Sequence, residues 1–201
     1  IRDAQESRGL GDVYKRQGMH GFRMEVEAHI ITASASTVEN LRQCVSMGGI
    51  EASQFVLNPL AAGEMVLSDS ERAMGVAVVD LGGGTTDLAI YIDGDVWYTN
   101  VLNVGSGHVT SDIAQGLRLP VEVAEEVKLH HGYANLDEIP EDETFNIVSF
   151  GSEQSRKVSR RELTDIIEAR VEEIFMIVHK EIKRSGYDGC LLYTSPSPRD
   201  S

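Results

Sequence analysis

The stretch Val76-Ala77-Val78-Val79-Asp80-Leu81-Gly82-Gly83-Gly84-Thr85-Thr86-Asp87-Leu88-Ala89-Ile90-Tyr91-Ile92 decides the fold. Two apolar runs rich in β-branched residues flank three glycines and two threonines, with Asp80 and Asp87 at the shoulders. The flanks read as strands and the glycines as the turn of a hairpin. An ordinary hairpin turn takes one or two residues able to adopt positive φ, usually Asn-Gly or Gly-Gly. A further glycine costs conformational entropy, so three in succession suggest that something approaches the backbone closely. Consecutive N–H groups in a turn make an anion-binding nest. Thr85 and Thr86 add hydroxyl donors, and Asp80 can hold a hydrated Mg2+ against a phosphate. Composition leaves two readings open at this point: a phosphate cradle, or a glycine-rich turn with incidental threonines.

Downstream, Asp93-Gly94 reads as a second hairpin turn and Val96 to Val104 as a third strand, which makes an antiparallel meander. Gly105-Ser106-Gly107 then enters a helix over His108 to Leu117. Two glycines before a helix are either a plain strand-to-helix turn or a set of free N–H groups beside a phosphate. Pro120 starts the next helix, Val121 to His131, and Gly132 ends it. On it Glu125 and Lys128 stand three apart, as a surface ion pair would. An acidic loop, Asn135 to Thr144, leads to a strand over Phe145 to Phe150. Ser159-Arg160-Arg161-Glu162 has capping-box spacing and opens a long helix to about Arg184. Leu163, Ile166, Ile167, Val171, Ile174, Phe175, Val178 and Ile182 give that helix an apolar stripe, which Met176 and Ile177 widen beyond one core face. Arg156, Lys157, Arg160 and Arg161 form a basic cluster, a feature that is ordinarily just solvated.

Upstream, Phe22 to Thr32 alternates like a half-buried strand, with His29 on its polar side. Ser36-Thr37-Val38-Glu39 has capping-box spacing and opens a helix that Gly48-Gly49 ends. Cys44 falls near the apolar face of that helix, where buried packing is expected. Gln54 to Leu57 reads as a short strand, Asn58 as the cap of a helix with Pro59 at its first position, and Ser68 to Arg72 as a charged turn.

The chain has 201 residues and a formal net charge of −14. The acidic balance argues against a nucleic-acid partner. No apolar run is long enough to span a bilayer. Cys44 and Cys190 make neither a disulfide framework nor a metal-ligand spacing, and a reducing cytoplasm is the expected compartment. The two ends carry a different signal. One choice of codons for Ser7 to Gln17 is, over almost its whole length, the reverse complement of a codon choice for Cys190 to Asp200, and both resemble a sequencing-library adapter. Two protein termini have no physical reason to be so related. Residues 1–17 and 190–201 are therefore expected to be adapter-derived rather than native, which leaves a fragment of a longer gene between them.

Taken together, these features resemble the actin-like ATPase superfamily. Asp80-Leu81-Gly82-Gly83-Gly84-Thr85-Thr86-Asp87 is similar to its second phosphate loop, and Asn58-Pro59-Leu60-Ala61-Ala62 to its first connecting helix. Glu125 and Lys128 match the pair that holds the nucleoside in relatives. Within the superfamily the segment resembles the FtsA family of bacterial cell-division actins. That likeness rests on Ala28 to Thr32, on Asn103 to Ala114 and on Ala124 to Gly132. It implies an α/β, actin-like (ribonuclease H-like) ATPase fold, present in part, with a fragment of each lobe. Residues 18–28 would end subdomain 1C, 29–70 belong to 1A, 71–117 to 2A and 118–189 to 2B.

The resemblance also implies a function. Members of the family bind ATP with Mg2+, polymerise into actin-like filaments and tether filaments of the tubulin homologue FtsZ at the cytoplasmic face of the inner membrane. They do so at the division site, through a C-terminal membrane helix absent from this chain, and they recruit downstream divisome proteins. Implied nucleotide ligands are Asp80 (through a Mg2+-bound water), Gly82, Gly83, Gly84, Thr85, Thr86, Gly105, Gly107, Glu125 and Lys128. Arg160, Arg161 and Arg170 are the expected contacts for the FtsZ C-terminal tail. Some hydrolysing relatives carry glutamate where this chain has Asn58, and an amide cannot accept a proton from an attacking water. A nucleotide-driven switch with slow turnover at most is therefore expected, and no residue is singled out as catalytic. A cell-shape or pilus-assembly actin, a chaperone ATPase, and a sugar kinase or exopolyphosphatase are the competing readings on the same fold.

Overall fold

A computed structural model describes residues 28–148 and 155–192. The chain divides into two compact units, one ending at Leu67 and the other beginning at Ser68.

The first unit holds two helices, α1 (Ala35–Met47) and α2 (Asn58–Val66). Helix α1 follows Ser34 in the cap position, ends at Gly48 and buries no residue. Cys44 is accordingly exposed, contrary to the buried packing expected from the apolar spacing around it. Helix α2 includes Asn58 as its first residue, one position later in role than the cap expected, with Pro59 following. The strands expected at Phe22 to Thr32 and Gln54 to Leu57 do not form where they are described: residues 28–32 and 54–57 are in no ladder. A strand exists through pairing with another strand, and neither segment joins a ladder with any described strand. Residues 22–27 lie outside the described part.

The second unit opens with the short helix α3 (Asp69–Met74). The expected charged turn is in fact a capping box: the Ser68 hydroxyl accepts from the Glu71 N–H, and the Glu71 carboxylate accepts from the Ser68 N–H. Strands β1 (Val76–Leu81), β2 (Thr86–Ile92) and β3 (Asp95–Leu102) follow as the expected antiparallel meander, with β2 in the centre. Strand β2 is paired along both edges and buried along nearly its whole length. Asp93 (φ 53°) and Gly94 (φ 90°) turn the chain between β2 and β3, as two-residue primed hairpin turns require.

Helices α4 (Ser106–Gly116) and α5 (Val121–His131) come next, then a two-stranded sheet of β4 (Thr144–Val148) and β5 (Ser155–Ser159). The expected continuation of β4 to Phe150 lies outside the described residues. The second strand of this pair, β5, takes up Arg156 and Lys157, which the sequence presents only as part of a basic cluster. The 26-residue helix α6 (Arg160–Ser185) closes the unit and stops at Gly186, whose φ of 80° is the left-handed cap. Leu163, Ile167, Ile174 and Val178 line one face of α6 and meet Val109 and Ile113 of α4, Leu117 just after it, Val127 of α5, and Phe145, Ile147 and Val158 of the small sheet in one core. At the far end of α6 the buried Glu181 accepts hydrogen bonds from Tyr98 Oη and Asn100 Nδ2 of β3, both at 2.5 Å. Three residues expected to be adapter-derived fall in the described part: a short 3-10 turn ends at Cys190, and the Leu192 N–H donates to the Gly75 carbonyl at 3.1 Å.

Candidate functional site

The site is built on the turn between β1 and β2. The Gly82 N–H donates to the Thr85 carbonyl at 2.9 Å and closes the turn. The Gly82 and Gly83 carbonyls accept from the N–H groups of Ser106 (2.9 Å) and Gly107 (2.7 Å) in the first turn of α4. These two N–H groups are thus spent on the loop. The sequence leaves this turn open as a source of free N–H groups for a phosphate; here the Ser106 and Gly107 N–H groups bond the loop carbonyls. Gly105 and Gly107 are glycines for the same reason. A Cβ at Gly105 would stand 2.6 Å from both loop carbonyl oxygens, and one at Gly107 would stand 2.9 Å from the Gly83 oxygen.

Gly83 and Gly84 differ. Neither has the left-handed backbone that favours glycine, and a Cβ on either would meet nothing within 4 Å. Both are exposed, as is Thr85. The N–H groups of Gly83, Gly84 and Thr85 take no hydrogen-bond partner among the described residues. With the Gly82 N–H spent on the Thr85 carbonyl, the donors left over in this turn are these three. Thr85 and Thr86, adjacent in sequence, part company. Thr86 is wholly buried, and its hydroxyl donates to the Val104 carbonyl at 2.7 Å. That hydroxyl ties the loop base to Val104, two residues past the end of β3. Asp80 is half-buried and sits directly across the ladder from the buried Asp87. Directly opposed side chains share a face, and like charges there repel.

Glu125 and Lys128 form an ion pair at 2.7 Å on α5. Thr110 of α4 joins them: its hydroxyl donates to Glu125 Oε2 at 2.5 Å and accepts from Lys128 Nζ at 2.8 Å. The hydrogen bonds from Lys128, and then from Thr110, hold the Glu125 carboxyl below its ordinary range. One helix therefore touches both halves of the expected nucleotide site. Its first turn carries the glycine loop, and its second carries the Glu125–Lys128 pair.

The three arginines expected to meet a partner are engaged within the chain. Arg160 pairs with Glu143 at 2.5 Å and donates to the His131 carbonyl at 3.2 Å. Arg161 donates to the Ile139 carbonyl at 3.1 Å. Arg170 makes a two-pronged bond to Asp112 of α4, at 2.5 and 3.0 Å, and pairs with Glu173. Arg156, on β5, donates to the Leu117 carbonyl at 3.1 Å. Arg156, Arg160 and Arg161 thus strut neighbouring backbone, and within the cluster Arg160 also pairs with an acidic side chain, Glu143. Sequence reasoning missed Thr110 and Asp112. The available signal was their spacing from Ser106, one to two turns along the same helix. Among the described residues no group of three or more histidine, cysteine, aspartate or glutamate side chains is placed to hold a metal ion. Among them, too, no helix is long and apolar enough to cross a membrane.

Residues 77–194 match the profile of the family described as "Cell division protein FtsA". The chain belongs to the FtsA family. It is 39% identical over 170 residues to the FtsA of Neisseria meningitidis serogroup B, a match covering 85% of this chain and 41% of that protein. It is 42% identical over 178 residues to the FtsA of Bacillus subtilis, covering 89% of this chain and 40% of that protein. The chain thus spans about two-fifths of the length of these curated relatives. Among solved structures it is similar to MreB5 of Spiroplasma citri bound to ADP, with a TM-score of 0.61 and 22% identity over 83% of this chain and 50% of that one. It is also similar to the ethanolamine utilization protein EutJ of Carboxydothermus hydrogenoformans, with a TM-score of 0.55 and 23% identity over 79% of this chain and 46% of that one. The fold is therefore actin-like, present in part, as the FtsA membership requires. That membership sets aside the chaperone and sugar-kinase readings.

Proposed function

We propose that this segment carries half of the ATP site of a cell-division actin, with the phosphates at Gly82 to Thr85 and the nucleoside at Glu125 and Lys128. One observation carries the proposal. Gly83 and Gly84 have no reason inside the chain to be glycine, and the N–H groups of Gly83, Gly84 and Thr85 are exposed donors with no partner among the described residues. A ligand that sits against the backbone explains both, since consecutive N–H groups favour an anion. The facing pair Asp80 and Asp87 fits a hydrated divalent cation, whose ligands are hard oxygens. When bound, such a cation neutralises phosphate charge. Asp80 would hold it through water, while Thr85 and the loop N–H groups orient the phosphate oxygens. The amide of Asn58 supports slow turnover at most, so the nucleotide acts as a conformational switch.

In the same reading the whole protein polymerises and tethers FtsZ filaments to the cytoplasmic face of the inner membrane at the division site, where it recruits downstream divisome proteins. The FtsZ tail would dock along α6, where Phe175 and Met176 are 60% and 63% exposed. A guanidinium carries five N–H donors, and Arg160 and Arg161 retain some beyond those bonded within the chain.

The experiment is Gly84→Ala in the full-length protein, followed by calorimetry with ATP and Mg2+. A Cβ at this position meets only ligand, so ATP affinity is expected to fall by tenfold or more, about 1.4 kcal/mol, while the melting temperature of the free protein stays unchanged. Undiminished affinity would sink the phosphate-loop reading.

A further inference from the structure

Between Glu125 and Lys128 stands a residue that the proposal above does not use. Thr110 is 4% exposed, and its hydroxyl closes a triangle with the carboxylate at 2.5 Å and the ammonium at 2.8 Å. A hydroxyl has one proton and two lone pairs. Donation to Glu125 uses the proton and leaves a lone pair for Lys128, so one small group satisfies both charges. Helix α5 by itself does not fix where those charges stand. Lysine in particular is a point charge on a flexible four-carbon stem. Helix α4 is different, because its first two N–H groups are bonded to the glycine loop. Thr110 lies one turn beyond that lock, with its hydroxyl 3.4 Å from the Ser106 carbonyl.

We infer that Thr110 is a positioning residue: through its hydroxyl, α4 holds the Glu125 carboxylate and the Lys128 ammonium at a set distance from the glycine loop, and so fixes their grip on the ribose hydroxyls of a nucleotide whose phosphates lie at that loop. The inference rests on the reading of Glu125 and Lys128 as nucleoside ligands. Without the hydroxyl, the two charges remain an ordinary ion pair three residues apart, free to swing together. The loss then falls on contacts to the ribose hydroxyls and spares those to the phosphates.

The test compares the full-length protein with Thr110→Val, which keeps the shape, and Thr110→Ser, which keeps the hydroxyl. Binding of ATP and of 2′-deoxyATP is measured by calorimetry, and the Glu125 carboxyl is titrated by NMR without nucleotide. Thr110→Val is expected to weaken ATP about tenfold, as loss of a hydrogen bond to a charged group would, and to weaken 2′-deoxyATP less. Thr110→Ser should keep the wild-type ratio of the two. In Thr110→Val the Glu125 carboxyl should titrate higher than in the wild type. Equal ATP affinity in Thr110→Val and wild type, or an equal loss for both nucleotides, overturns the inference. A wild type that binds no ATP overturns the nucleoside reading, and with it the ribose role. The Glu125 titration then decides alone whether Thr110 places the pair: a higher value in Thr110→Val supports that placement, and an unmoved one overturns it.

Discussion

Two pairs of glycines sit within one small volume of this protein, and they are glycine for opposite reasons. Gly105 and Gly107 are crowded by backbone, because the loop carbonyls lie against them. Gly83 and Gly84 are crowded by nothing in the chain. The first pair lets the loop pack against α4, and the second leaves open space beside the loop backbone. A sequence displays both as Gly-rich stretches near a strand end, and only the distance to the next backbone tells them apart.

The contrast can be broken by substitution, and the largest effect is expected at Gly105. In Gly105→Ala the new Cβ meets two carbonyl oxygens and the Gly83 carbonyl carbon, which lies 2.8 Å away. Backbone atoms yield little, so the cost should reach about 3 kcal/mol, the upper part of the overpacking range, read as a lower midpoint in denaturant. Thr86→Val comes next. It leaves the Val104 carbonyl without its 2.7 Å donor, and an orphaned buried acceptor costs about 1–2 kcal/mol. ATP affinity should fall less than in Gly84→Ala, since the Thr86 hydroxyl faces the protein.

A control away from the loop lies at Glu181. The Tyr98 hydroxyl, and then Asn100 and Arg184, hold its carboxyl below the ordinary value. A carboxyl with a depressed folded pKa stabilises the fold above its ordinary pKa, and the benefit is lost as pH falls through the lower folded value. Thermal midpoints should therefore drop on acidification with a shallower slope in Glu181→Gln than in the wild type. An identical slope would show that the carboxyl contributes nothing. The smallest effect is the stability change in Gly84→Ala, expected within about 0.5 kcal/mol. A large loss of stability there would erase the distinction between the two glycine pairs.

The meander was legible because β1 and β2 are apolar runs around glycines and because Asp93-Gly94 is a turn with a mechanism. Helix α5 was legible from Pro120 and Gly132, which bound it. Strand β5 was not, since Arg156 and Lys157 look solvated until the partner strand is seen beside them. Helix α3 hid behind its charge, although Ser68 and Glu71 already had capping-box spacing. At the candidate site, the glycine turn was readable from residue type, but the different surroundings of Thr85 and Thr86 were not. Neighbouring residues at a strand start face opposite ways, and the deciding partner, Val104, lies 18 residues on. The exposed Cys44 and the failure of residues 28–32 to form a strand have a related cause. An apolar spacing announces a face that wants covering and says nothing of what covers it.

The bonds from Ser106 and Gly107 back to Gly82 and Gly83 have a consequence for how the chain tolerates change in length. Strands β2 and β3 run out from the loop and return to it, and the round trip is fastened at its base by these two bonds and by Thr86 to Val104. The ladder already absorbs one register shift between Ile90 and Tyr91. A further residue inserted within either strand without a bulge would turn the rest of that strand over, face for face, and pull the fastening apart. Only the tip at Asp93-Gly94 can lengthen without disturbing the base. Natural variation in the length of this hairpin should therefore gather at that tip, as far from the glycine loop as the two strands reach.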